Sequence, residues 1–192
     1  DYAERVDKAK QEYDGQGKET EREKDKNTLK NGKEEGQSDS TNLFQYFSGT
    51  LSDLVAQAKQ MKQGLIKKVL AFVSPKLKKD LSEKGVDVDE DYKHVLDNNA
   101  IRHTLKEHGG KNEEKRGQTP ITDADFEKIT DIVEDYDTIE VKPGKRGNVS
   151  IVYSRTYDDG TTVYVEERRV NRKELAAVTM WKIKRPALTD AN

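Results

Sequence analysis

The chain has 192 residues, with 35 Lys and Arg against 37 Asp and Glu and a formal net charge of −2. That near-balance does not announce nucleic-acid binding. The lack of cysteine excludes disulfides, zinc ribbons and cysteine nucleophiles, and no run of about eighteen apolar residues is available for a transmembrane helix.

Only 32% of the residues are hydrophobic and 38% are charged, so part of the chain is expected to stay outside any packed core. Residues 1–40 fit that description. Tyr2, Val6 and Tyr13 suit a short first helix, but from Asp14 to Ser40 the only large aliphatic residue is Leu29, and glycine recurs. Such a stretch cannot offset its ordering entropy and is expected to be flexible. DYAERVDKAK has no signal-peptide pattern, and a start at Asp1 leads us to expect a piece of a longer protein.

Residues 41–80 are expected to form a helical appendage. After the compact aromatic run Asn42–Phe47, Thr50 or Ser52 can cap a helix reaching Val73. Leu51, Leu54, Val55, Ala58, Met61, Leu65, Val69 and Phe72 recur at helical spacing, with Lys59, Lys62, Lys67 and Lys68 off that stripe. Ser74-Pro75 interrupts the pattern, and Lys76–Glu83 suits a second short helix.

KHVLDNNAIRHTLKEHGG, from Lys93 to Gly110, holds all three histidines and is read as one helix ended by the glycine pair. At about 100° per residue, Ile101 and Leu105 make its apolar stripe, with His94 and His108 close to it. Asn99, Arg102, His103 and Lys106 fall on the other side. KNEEKRGQTP is read as a loop. Thr122 then caps a helix, with Asp125 in the capping-box position and Phe126, Ile129, Ile132 and Val133 inward.

The remainder reads as strands: Thr138–Lys142, Val149–Tyr157, Thr161–Val170 and Leu175–Ile183, with Asp158-Asp159-Gly160 as a hairpin turn. The fold class is therefore α+β: two helices followed by roughly four antiparallel strands over residues 81–186, with a short tail at 187–192. Residues 138–185 carry eleven Lys and Arg against six Asp and Glu, a net of +5, which permits phosphate binding.

Four blocks in order, HVLDNNAIRHTLKEHG, KRGQTPITDADFEKITDIVEDYDTI, SIVYSRTYDDGTTVYVEERR and ELAAVTMWK, resemble the phage-associated nuclease-like domains of the Barnase–EndoU–colicin–RelE superfamily. The resemblance runs from about Val88 to Lys184. It implies metal-independent RNA cleavage, with no cofactor, by transesterification to a 2′,3′-cyclic phosphate. It also implies an RNA partner, transfer RNA among the candidates, and an immunity or inhibitor protein. The expected site of action is the cytoplasm, with delivery as part of a larger secreted or phage protein. Block matching places His103 and His108 in the family's helical histidine block and Thr179 in its terminal-strand block, with Arg102 and Lys182 as flanking cations.

Cleavage of this kind needs a base for the 2′-hydroxyl, an acid for the departing 5′-oxygen and cations for the phosphorane charge. Histidine can serve either proton role. His103 is the first choice, against a solvated helix residue; His108 is the second, against a helix-end cap. His94 reads as structural. Arg168, Tyr153 and Tyr164 are candidates for substrate binding, the tyrosines by stacking on bases or, equally, as packing residues. No metal site is expected: Asp87, Asp89, Glu90 and Asp91 lack the glycine and terminal glutamate of a calcium loop. The competing expectation is a catalytically silent RNA- or protein-binding module.

Overall fold

The computed structural model describes residues 45–144 and 147–185. The helix expected at the start of the chain, the flexibility expected of 14–40, and the expectations for residues 145–146 and 187–192 lie outside these residues. Eight strands form: β1 Gln45–Tyr46, β2 Ile66–Phe72, β3 Lys93–Asp97, β4 Gln118–Thr119, β5 Thr138–Pro143, β6 Val149–Tyr157, β7 Gly160–Arg169 and β8 Glu174–Ile183. The helices are α1 Leu51–Gln60, α2 Pro75–Glu83, α3 Asn98–His108 and α4 Ile129–Glu134, with 3-10 turns at Lys111–Arg116, Asp123–Lys128 and Val170–Arg172.

The strands make one sheet in the order β1-β2-β3-β8-β7-β6-β5, and β4 pairs with β8 beside its C-terminal end. β1–β2 and β3–β8 are parallel and the other pairs antiparallel. The class is α+β as expected, but the sheet has twice the expected strands. The four C-terminal ones fall where the alternation places them, and Tyr157 faces Gly160 across the hairpin turn. Gly160 has φ +128, and a Cβ there would collide with the Ile183 carbonyl, so the turn requires glycine.

Two expected helices are corrected. The first stops at Gln60 instead of reaching Val73. Of the two caps read for its start, Thr50 and Ser52, Thr50 is the one used: it accepts from the Asp53 amide at 3.1 Å, and Asp53 accepts from the Thr50 amide at 3.0 Å. Gly64 then turns the chain at φ +87, and Ile66–Phe72 pairs with β3. Leu65, Val69 and Phe72 merely continued the helical spacing, because a short apolar run fits either period. The second correction concerns Lys93–Asp97, which is a strand. His94, Val95, Leu96 and Asp97 are all buried in an interior position of the sheet, so the polar alternation that marks a half-exposed strand is missing. Asp97 ends the strand and caps α3, accepting from the Ala100 amide at 2.8 Å.

The helices cover one face of the sheet. Leu54 and Val55 of α1, Leu77 and Leu81 of α2, Ile101 of α3 and Ile132 of α4 share one buried cluster with Ile151, Tyr153, Tyr164, Leu175 and Met180. Residues on either side of residue 80 thus contribute to this cluster. KNEEKRGQTP, expected as a loop, contains the 3-10 turn and β4.

Candidate active site

β7 runs without interruption, so Val163, Val165, Glu167 and Arg169 share one face. Their pairing partners on β8 are Trp181, Thr179, Ala176 and Glu174. The register shifts between Val165 and Glu166, which leaves Val178 as the extra residue of a bulge on β8. Thr179 and Trp181 thus lie on the face opposite Met180 and Lys182, the two residues that pair with Tyr164 and Thr162.

At the end of α3 the His108 ring lies beside Trp181, with centroids 5.9 Å apart. His108 Nδ1 is 3.0 Å from Glu113 Oε2. The other oxygen, Oε1, accepts from Arg116 at 3.1 Å. The Glu113 side chain is 2% exposed, His108 18% and Arg116 62%. A buried carboxylate therefore holds a partly open imidazole on one side and an open guanidinium on the other. The Ile121 amide donates to the His108 carbonyl at 2.7 Å, which fixes the helix end against the following segment. On β8, two residues before Trp181, the Thr179 hydroxyl is buried without a hydrogen-bond partner, as is the side-chain oxygen of Gln118 on β4. Glu113, Arg116, Gln118 and Trp181 were not legible as site residues. Glu113 stands five residues after His108, past two glycines, a spacing that marks no helix face.

The other candidates are placed differently. His103 is exposed on α3. Arg102 donates to the Met61 carbonyl at the end of α1 and to Asn99, so it ties two helices together. Lys182, expected as a phosphate ligand, is 5% exposed on the core face. It pairs with Asp125 at 3.1 Å and Asp159 at 3.3 Å, and Lys128 joins both carboxylates. Burial works to raise the Asp125 carboxyl, but the Thr122 amide, Lys182 and the Thr122 hydroxyl hold it below its usual range. Arg168 donates to the Asp87 carbonyl at 3.1 Å.

Tyr153 and Tyr164 are fully buried and unavailable to a base, which corrects the stacking expectation for both. Their hydroxyls donate to Glu166 at 2.9 and 3.0 Å. His94 Nδ1 lies 2.9 Å from each oxygen of the same carboxylate. Burial, and then the Glu166 charge, push both phenols well above their ordinary range, which keeps them as donors. The structural reading of His94 fits this network. Among the described residues no three His, Asp or Glu side chains gather in a metal-binding arrangement, and no helix is long and apolar enough to cross a membrane.

A family model described as phage-Barnase-EndoU-ColicinE5/D-RelE like nuclease3 matches residues 67–190. The match begins in β2, earlier than the resemblance at Val88, and takes in every element from there to β8. No curated protein and no solved structure matches the chain.

Proposed function

Because the chain belongs to the phage-Barnase-EndoU-ColicinE5/D-RelE like nuclease family, we propose that it is an endoribonuclease whose proton-transfer group is His108. The observation that carries this reading is the His108–Glu113–Arg116 arrangement at the edge of the sheet face bearing Thr179 and Trp181.

A Glu113 carboxylate accepting from Nδ1–H leaves the lone pair of His108 on Nε2. That nitrogen takes the 2′-hydroxyl proton as the 2′-oxygen attacks phosphorus. Glu113 stabilises the imidazolium that forms, as a carboxylate does in other histidine dyads. The bond from phosphorus to the 5′-oxygen breaks, and the imidazolium returns its proton to that oxygen. The products are a 2′,3′-cyclic phosphate and a 5′-hydroxyl. Arg116 offsets the charge on the phosphorane. His103 has no step in this scheme and Lys182 serves the fold. Transfer RNA is the first substrate to try, in keeping with a cytoplasmic site of action. An immunity or inhibitor protein is the matching partner.

The test is incubation of the purified chain with varied RNAs, reading product ends. Cyclic phosphate ends are expected, and His108→Ala lowers the rate by about 10²–10⁴-fold while the fold survives. A folded His108→Ala protein that cuts at the parent rate sinks the assignment. Parent protein that cuts nothing favours the silent binding module instead, a reading to which the structural engagement of Arg102 and Lys182 lends support.

A further inference from the structure

The hairpin joining β7 to β8 holds a cleft of about 370 Å³ lined by Asn148, Arg168, Arg169, Val170, Asn171 and Arg172. Three of these six residues are arginines and none is acidic. Like charges gathered this way repel one another, and the chain holds them in place through their neighbours. Lys173 takes a left-handed conformation at φ 50 and pairs with Asp89 at 2.7 Å and Asp91 at 3.2 Å. Its carbonyl accepts from the Lys93 amide at 3.0 Å, and Arg168 is tied to the Asp87 carbonyl. The acidic run before β3 is therefore a brace for the hairpin.

Glu174 is 4.0 Å from Arg169 but is already paired with buried Lys67. Glu167, the acid between the cleft and the proposed site, accepts from Asn148 at 2.8 Å. Arg169 lies on the same face of β7 as the residues paired with Thr179 and Trp181. Strand rise puts the two ends of that face on the order of 20 Å apart, a distance that several nucleotides span.

We infer that the Arg168–Arg172 cleft is an exosite for the phosphodiester backbone of the RNA, holding a strand several nucleotides from the bond cut at His108. This rests on the endoribonuclease reading. A guanidinium fork suits phosphate oxygens, and one donated bond leaves Arg168 further N–H groups to offer. Guanidinium contacts to phosphates contribute affinity without sequence preference.

The experiment compares parent, Arg168→Gln/Arg172→Gln and Asn171→Glu proteins, each checked for folding by circular dichroism. Asn171→Glu removes no charge pair and places an acid at an exposed position in the cleft, so it stays informative if the double variant unfolds. Binding of a labelled single-stranded RNA of about a dozen nucleotides is followed by anisotropy across salt concentrations, and cleavage of a dinucleotide is followed separately. Both variants should bind the longer RNA more weakly, on the order of tenfold at low salt. The double variant should show a log–log salt slope lower by about 0.7 for each phosphate it no longer neutralises. Dinucleotide cleavage should stay at the parent rate. Parental affinity and slope in the folded variants overturn the exosite. Parent protein that binds the RNA without cutting it refutes the endoribonuclease reading, while the binding comparison still decides the cleft. Parent protein that does not bind RNA overturns the exosite and makes an acidic protein the alternative occupant.

Discussion

Two histidine–glutamate pairs of nearly the same geometry sit in different parts of this molecule. His94 meets Glu166 at 2.9 Å and His108 meets Glu113 at 3.0 Å, each through Nδ1. In the first pair both side chains are at most 1% exposed, and two tyrosine hydroxyls complete the carboxylate's shell. In the second the carboxylate is buried but the imidazole reaches the surface, and an open arginine replaces the tyrosines. A histidine–carboxylate pair is thus not a site by itself. Access and the remaining partners decide whether it holds the core or can exchange a proton with a ligand.

The largest effect should come from the buried pair. Glu166→Ala leaves His94 and two buried phenols without their acceptor, and about 3–5 kcal/mol of stability should go. Denaturant unfolding measures it; a loss under about 1 kcal/mol would remove the distinction between the two pairs.

Lys182→Ala sharpens the same point, since it takes from the buried Asp125 carboxylate one of its ion-pair partners. The expected cost is again about 3–5 kcal/mol. The pH dependence of unfolding supplies a signed check. Asp125 and Asp159 are held below the ordinary carboxylate range, so their contribution is present above that range. It is lost as pH falls through their lowered values. Removing Lys182 should move acid unfolding to higher pH. Lys128, where hydrogen bonds to both aspartates outweigh burial and raise it, contributes stability below the ordinary lysine range. That part is lost as pH rises through its raised value.

For the open pair the readout shifts from stability to rate. Glu113→Gln keeps the shape of the side chain but removes the charge that supports the imidazolium. RNA cleavage should slow by about 10²-fold, with unchanged product ends. Parental turnover in this variant would reduce Glu113 to a packing residue. The smallest effect belongs to His103→Ala: an exposed side chain outside the proposed scheme, it should change stability by no more than about 0.5 kcal/mol and leave cleavage near parental. A rate loss as large as that of His108→Ala would return the site to the outer face of α3.

The amino-acid pattern by itself determined the elements whose signals are local. Thr50 and Asp53, Thr122 and Asp125, Ser74 with Pro75, and Asp159-Gly160 mark boundaries through interactions within a few residues. The alternation of Val149, Ile151 and Tyr153 brought β6 to its place, and family membership followed from blocks in order. Burial by distant chain decided the rest. β2 and β3 are strands because each completes the other's ladder, which no apolar spacing along one segment reveals. Tyr153 and Tyr164 became core, Lys182 an ion-pair partner and Arg102 a link between helices because of residues far away in sequence. His108 gained Trp181 in the same way, and Glu113 through the turn that follows the two glycines. Proton transfer depends on which groups lie within about 3 Å and which remain open to a ligand, and only the tertiary structure sets both.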